Sequence, residues 1–175
     1  MGHSKAMHIR RDTFLVDTCI FIESAKIHHP MDIFPSLWGK LLETAGDKWF
    51  TCKPVANEIK DWGDDVFSWF DGLKKTHPEA ILDHSPEDIQ KGFADITQGI
   101  VDNAHYKPFA KEKFLSGADP WLLAFGRARG YKIVTRETII DPNIKKRIKI
   151  PNVCKDYNID CLNLNEFLRY VSFKF

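Results

Sequence analysis

Phe14-Leu15-Val16-Asp17-Thr18 decides how the rest of the chain is read. The run is apolar, mixes aromatic and β-branched side chains, and stops abruptly on a carboxylate. Runs of this kind form strands buried on both faces, as in parallel sheets. Asp17 then stands at the strand's carboxyl end, which in open α/β sheets is the end where ligands bind. Fold and function both turn on whether later segments bring more acids to that edge.

Working outward, residues 18–25 carry helix-compatible apolar positions at Ile20 and Phe21, and His28-His29-Pro30 closes the element. Adjacent histidines point apart, so a surface turn is expected there rather than a ligand pair. Residues 34–44 place Leu37, Trp38, Leu41 and Leu42 at amphipathic-helix spacing, with Gly46 suited to the C-terminal cap. Residues 49–52 read as a second short strand. Pro54 opens a helix with Val55, Ile59 and Trp62 as its buried stripe. Glu58 lies beside that stripe, either as an edge glutamate in solvent or as a second acid for the site.

Residues 64–75 put Val66, Trp69, Phe70 and Leu73 on one helical side, the pattern of a core or subunit interface, with base stacking as the other reading. Residues 80–82 between Pro78 and Pro86 receive no assignment. Ser85-Pro86-Glu87-Asp88 starts a helix through Ile89, Phe93, Ile96 and Ile100. In Ala118-Asp119-Pro120-Trp121, Pro120 suits the first helical position and makes Asp119 the cap, and Gly130 ends that helix. Residues 131–135 form another apolar run, with Thr135 and Glu137 at and just past its end. A basic loop over 141–149, a short strand within 160–164 and an amphipathic turn or two over 165–171 complete the chain.

The 175 residues fit a single domain over 13–175, preceded by an N-terminal extension over 1–12 with the look of a tag remnant. Its opening, Met1-Gly2-His3-Ser4-Lys5-Ala6, has Ala where a myristoylation signal needs Ser or Thr. Cys19, Cys52, Cys154 and Cys161 form no CxxC pair, which points to reduced thiols in a cytoplasmic protein without structural zinc. No apolar stretch reaches half of the roughly 20 residues a membrane-spanning helix needs. The formal charge of +1 selects no partner, but eight basic residues between Arg127 and Lys149 face only Glu137 and Asp141. That excess is either a solvated face or a surface for a polyanion.

Alternating strands and helices imply βαβ units with right-handed crossovers, hence an α/β fold with a parallel sheet. Asp17 and Glu137 then leave strand ends, and Glu58 and Asp119 come from helix N-terminal regions on the same rim. Four converging carboxylates repel one another unless a cation balances them. Oxygen-only ligands favour Mg²⁺ or Mn²⁺ over Zn²⁺. Such a site activates water and stabilises the charge on a phosphodiester.

Four stretches, Leu15 through Ile22, Val55 through Ile59, Ala118 through Ala124 and Ile133 through Glu137, resemble in order the acidic motifs of PIN domains, VapC-like bacterial members above all. The resemblance implies a three-layer α/β/α sandwich with a central parallel sheet. It further implies a metal-dependent endoribonuclease, often the toxin of a toxin–antitoxin pair, with an RNA substrate, a small antitoxin protein as partner and a homodimeric state. Carried over by position, Asp17, Glu58 and Asp119 match the metal-binding acids, Glu137 the fourth acid, and Thr135 the hydroxyl residue before it. Cys19 stands where many VapC-like sequences have Asn, and Glu137 where Asp is usual. Those departures motivate a second expectation, a non-catalytic PIN-fold module that binds nucleic acid or protein. A phosphatase or DNA-flap nuclease is a third.

Overall fold

β1 (Phe14–Val16) is buried at all three residues and is the middle strand of a five-stranded, wholly parallel sheet of order β3-β2-β1-β4-β5. The computed structural model describes residues 12–60 and 64–173. The expected N-terminal extension therefore lies, but for Asp12, outside the described residues, as does Trp62. β2 (Trp49–Cys52) and β4 (Lys132–Val134) flank β1, while β3 (Ile81–Leu82) and β5 (Cys161–Leu162) form the edges. The register sets Leu15 beside both Phe50 and Ile133, and Val16 beside Val134.

From β1 the chain steps through β2 to β3, then crosses back to place β4 on the other side of β1. The strand order reverses between β1 and β4, which makes a topological switch point at their carboxyl ends. Right-handed crossovers put the helices of the first half on one face and those of the second half on the other. The result is a three-layer α/β/α sandwich. On the first face lie α1 (Thr18–Glu23), continued by a π-helical turn over Ser24–His28, α2 (Pro35–Thr44), α3 (Lys53–Ile59) and α4 (Asp64–Thr76). The expected aromatic stripe of α4 turns inward. Phe70 meets Phe21 edge-on at 5.4 Å, and Trp69 meets Trp38 at 5.2 Å. Phe67 is left exposed.

On the second face α5 (Glu87–Asp102) runs along α7 (Asp119–Arg129), with α6 (Pro108–Leu115) and α8 (Ile150–Tyr157) packed beside them. A Cβ at Gly92 would stand 2.7 Å from the Ala124 carbonyl oxygen, so α5 and α7 touch backbone to backbone. Gly130, at φ +69°, ends α7 as its sequence position predicts. α9 (Leu164–Tyr170) closes the chain behind a capping box, Asn163 accepting from the Glu166 N–H and Glu166 from the Asn163 N–H. No helix among the described residues is long and apolar enough to cross a membrane.

Three of the places where the structure differs from the sequence expectations bear on the sheet and the site. Residues 81–82 are an edge strand, too short to show a period and held by pairing with Thr51 and Cys52. α8 arises where the sequence suggests no helix, because Ile150, Val153 and Cys154 bury one face behind Pro151 in the first turn. Asp119 is the first helical residue of α7 rather than its cap; Ala118 holds the cap position.

Candidate functional site

Asp17 leaves the end of β1 at the switch point and is 4% exposed. Its backbone N–H donates to the Val134 carbonyl at 3.0 Å, which ties the end of β1 to the end of β4. Its Oδ2 accepts two hydrogen bonds, one from the Thr135 hydroxyl at 2.8 Å and one from the Cys19 thiol at 2.8 Å. Cys19 thus supplies a donor at the position where VapC-like sequences carry an Asn amide. Its thiol pKa is pushed well up by burial and by the neighbouring Asp17, so the sulfur keeps the proton it donates.

Thr135 is buried, donates to Asp17 and accepts from the Glu137 N–H at 3.1 Å. It stands behind Asp17 as a positioning residue. Glu58, on the second turn of α3, spans two elements. Its Oε2 accepts from the Thr18 hydroxyl at 2.5 Å, and its Oε1 from the Ala118 N–H at 2.7 Å. Glu58 therefore caps α7 from across the cleft, a task the sequence assigns to Asp119. The Asp119 carboxylate is left uncommitted to its own helix. Gly117 keeps the approach open: a Cβ there would lie 3.2 Å from Glu58 Oε1.

Asp17, Glu58, Asp119 and Glu137 all line one cleft of about 670 Å³, together with Thr18, Cys19, Ile22, Glu23 and Lys113. All four acids picked out from the sequence come to the same rim. Burial raises the Asp17 pKa to about 6, against the hydrogen bonds from Cys19 and Thr135, and Glu137 and Glu58 add repulsion. Burial likewise lifts the Asp119 pKa well above the ordinary carboxylate range, with Asp17, Glu137 and Glu58 adding to the rise. Desolvation comes first in both shifts, and repulsion from the neighbouring carboxylates adds to it.

Glu137 is the exception. It pairs with Lys149 and accepts from the Ile150 N–H at 2.8 Å, at the start of α8. Its side chain thus anchors the end of the basic loop to the acid rim. Among the described residues no three His, Cys, Asp or Glu side chains stand together as a ready metal-holding group. The acids share a cleft without closing into a cage.

Residues 14–175 match the family described as "Domain of unknown function (DUF4411)". The chain belongs to that family. No curated protein matches it. The match begins on β1 and takes in the whole acid cleft, so the constellation lies within the family's domain.

Four members of the site carry no separate sequence signal. Thr18 is marked only by its place directly after Asp17 at the start of α1. Glu23 and Lys113 reach the cleft through the packing of α1 and α6. Lys149 belongs to the basic segment by composition, but its pairing with Glu137 is a property of the folded loop.

Proposed function

We propose that the chain is a Mg²⁺- or Mn²⁺-dependent endoribonuclease that hydrolyses phosphodiesters in the cleft at the β1–β4 switch point. The observation that carries this is the convergence of four acids on one rim, of which Glu137 has a lysine partner. The donor set suits a hard divalent cation, being all oxygen, and the raised pKa values of Asp17 and Asp119 mark where a cation's charge is wanted. Asp17 and Asp119 would hold the ion. Glu58, fixed between Thr18 and α7, would hold it from the third side, and Glu137 would support the rim through Lys149.

A divalent ion so held supplies charge neutralisation for the phosphodiester and activation of water. The chain's own residues do the rest. Thr135 and Cys19 fix one oxygen of Asp17, which orients the other. Glu58 fixes the start of α7 and so the position of Asp119. Lys113 at the cleft mouth, and Lys145, Lys146 and Arg147 exposed on the basic loop, receive the backbone of the strand. The likeness of the four motifs to PIN domains supports the same assignment, and with it an RNA substrate and a neutralising partner protein.

Calorimetric titration with Mn²⁺, paired with cleavage of single-stranded RNA, tests the proposal. The wild type should take up Mn²⁺ and cleave, and Asp17→Asn should lose most of both while keeping its fold by circular dichroism. Cleavage undiminished in that variant would end the proposal. A second reading, a binding module without catalysis, is favoured by the Lys149–Glu137 pair, which already satisfies one acid. It predicts salt-sensitive RNA binding with no Mn²⁺ uptake.

A further inference from the structure

Beyond the acid rim, the same carboxyl edge of the sheet carries a second cleft, of about 380 Å³, lined by His28, His29, Arg136, Asn163, Leu164 and Asn165. We propose that this cleft is a phosphate subsite, receiving a phosphate that neighbours the scissile one on the same nucleic-acid strand. The subsite rests on the nuclease reading above and specifies how that substrate is held.

The two clefts meet at one ion pair. Glu23 lines the acid cleft and Arg136 lines the second, and Arg136 Nε donates to Glu23 Oε2 at 2.9 Å. Arg136 is also tied to the acid centre through its backbone, whose N–H donates to the Cys19 sulfur at 3.2 Å. Glu23 occupies Nε, and among the described residues the remaining guanidinium N–H groups have no acceptor. A guanidinium fixed on one edge and free on the other matches a phosphate's oxygens in two-point contact.

The rest of the lining fits the same ligand. His28 and His29 are presented by the π-helical turn that ends α1, and turns of this type recur at functional sites. The backbone of His29 is pinned by Trp38, whose indole N–H donates to its carbonyl at 2.8 Å, and its ring packs edge-on against Phe34 at 5.1 Å. The His29 Nδ1 is buried and has no hydrogen-bond partner. Burial holds the His29 pKa below its usual value, and the nearby His28 and Arg136 add to the effect, which an anion in the cleft would offset. Asn163 uses its side-chain oxygen to cap α9, which leaves its amide N–H groups as donors. No Asp or Glu lines this cleft among the described residues.

A strand that places one phosphate among the acids therefore finds an acid-lined cleft on one side of the Glu23–Arg136 pair and, directly past it, a cleft that offers Arg136 and Asn163 as donors and no carboxylate in its lining. The chemistry on the two sides of that pair is complementary to two different parts of one substrate. The acid side needs a divalent ion to accept a phosphate, whereas the Arg136 side accepts one directly.

The test uses the full chain with Mn²⁺ and single-stranded RNA carrying one neutral methylphosphonate, moved along the strand a position at a time. Interference is expected at the scissile position and at one neighbour. Arg136→Gln should erase the sensitivity at the neighbour and raise KM about tenfold with kcat little changed, as for loss of one charge-assisted contact. His28→Asn, at an exposed position that bears on no core contact, should move KM the same way by less. A single sensitive position in the wild type, or a fall in kcat with unchanged KM in Arg136→Gln, would overturn the subsite and leave the nuclease reading standing. If the wild type cleaves nothing, the nuclease reading fails and binding decides the subsite. Arg136→Gln must then weaken binding of the RNA and reduce its logarithmic salt slope by about 0.7; unchanged affinity would overturn the subsite too.

Discussion

At the scale of single residues, Asp17 is a carboxylate whose burial opposes its own ionisation. Burial raises its folded pKa to about 6, above the 3.8 of an unperturbed carboxyl. The folded state therefore favours the protonated form. Its contribution is present in full below about pH 3.8 and is lost as the pH rises through 6, and by pH 7.5 the ionised group costs on the order of 3 kcal/mol. Asp17→Asn removes that cost and can still accept from Thr135 and Cys19. Thermal melts of the metal-free protein should show the variant more stable than wild type at pH 7.5, with the gap closing at pH 4. A gap that is constant with pH would show that Asp17 is not held in this way.

At the scale of elements, the close crossing of α5 and α7 fixes the helix that begins at Asp119, and so the position of one acid. Gly92→Ala would drive a methyl against the Ala124 carbonyl at 2.7 Å, where only backbone can yield. Urea unfolding should show a loss of about 1–3 kcal/mol. Gly72, in α4, has nothing within 4 Å of an added Cβ, and Gly72→Ala should gain up to about 1 kcal/mol in the same assay. Similar losses at both positions would contradict this account of the α5–α7 contact.

Much of this architecture is legible in the chain. β1 and β4 announce themselves as apolar runs stopped by polar groups, and the Pro and Gly around α7 mark its ends. Each of the four acids sits beside such a signal, which is why all four can be named, and all four line one cleft. The features that stay hidden depend on contacts between distant segments. β3 is two residues long and exists through its pairing with β2. The reach of Glu58 to the Ala118 N–H, which displaces Asp119 from the capping role, joins residues 60 positions apart. The pairing of Lys149 with Glu137 depends on where the loop before α8 returns, which no periodicity encodes.

At the scale of the molecule, charge is sorted rather than merely balanced. Of the eight basic residues between Arg127 and Lys149, five are engaged by acids: Arg127 by Asp95, Arg129 by Asp88, Lys132 by Asp160, Arg136 by Glu23 and Lys149 by Glu137. Lys145, Lys146 and Arg147 stay exposed, on a loop tied to the start of α6 by the Lys107 N–H donating to the Lys145 carbonyl at 2.9 Å. Replacing all three by Ala should weaken single-stranded RNA binding and lower its logarithmic salt slope by about 2, as fluorescence polarisation across a salt series would measure. An unchanged slope would remove the loop from the binding surface. The acid cleft itself is tested most directly by anomalous diffraction from crystals soaked in Mn²⁺ at pH 7.5. A manganese peak between the Asp17 and Asp119 carboxylates is the predicted result. A cleft without manganese, in crystals that take up the ion elsewhere, would contradict it.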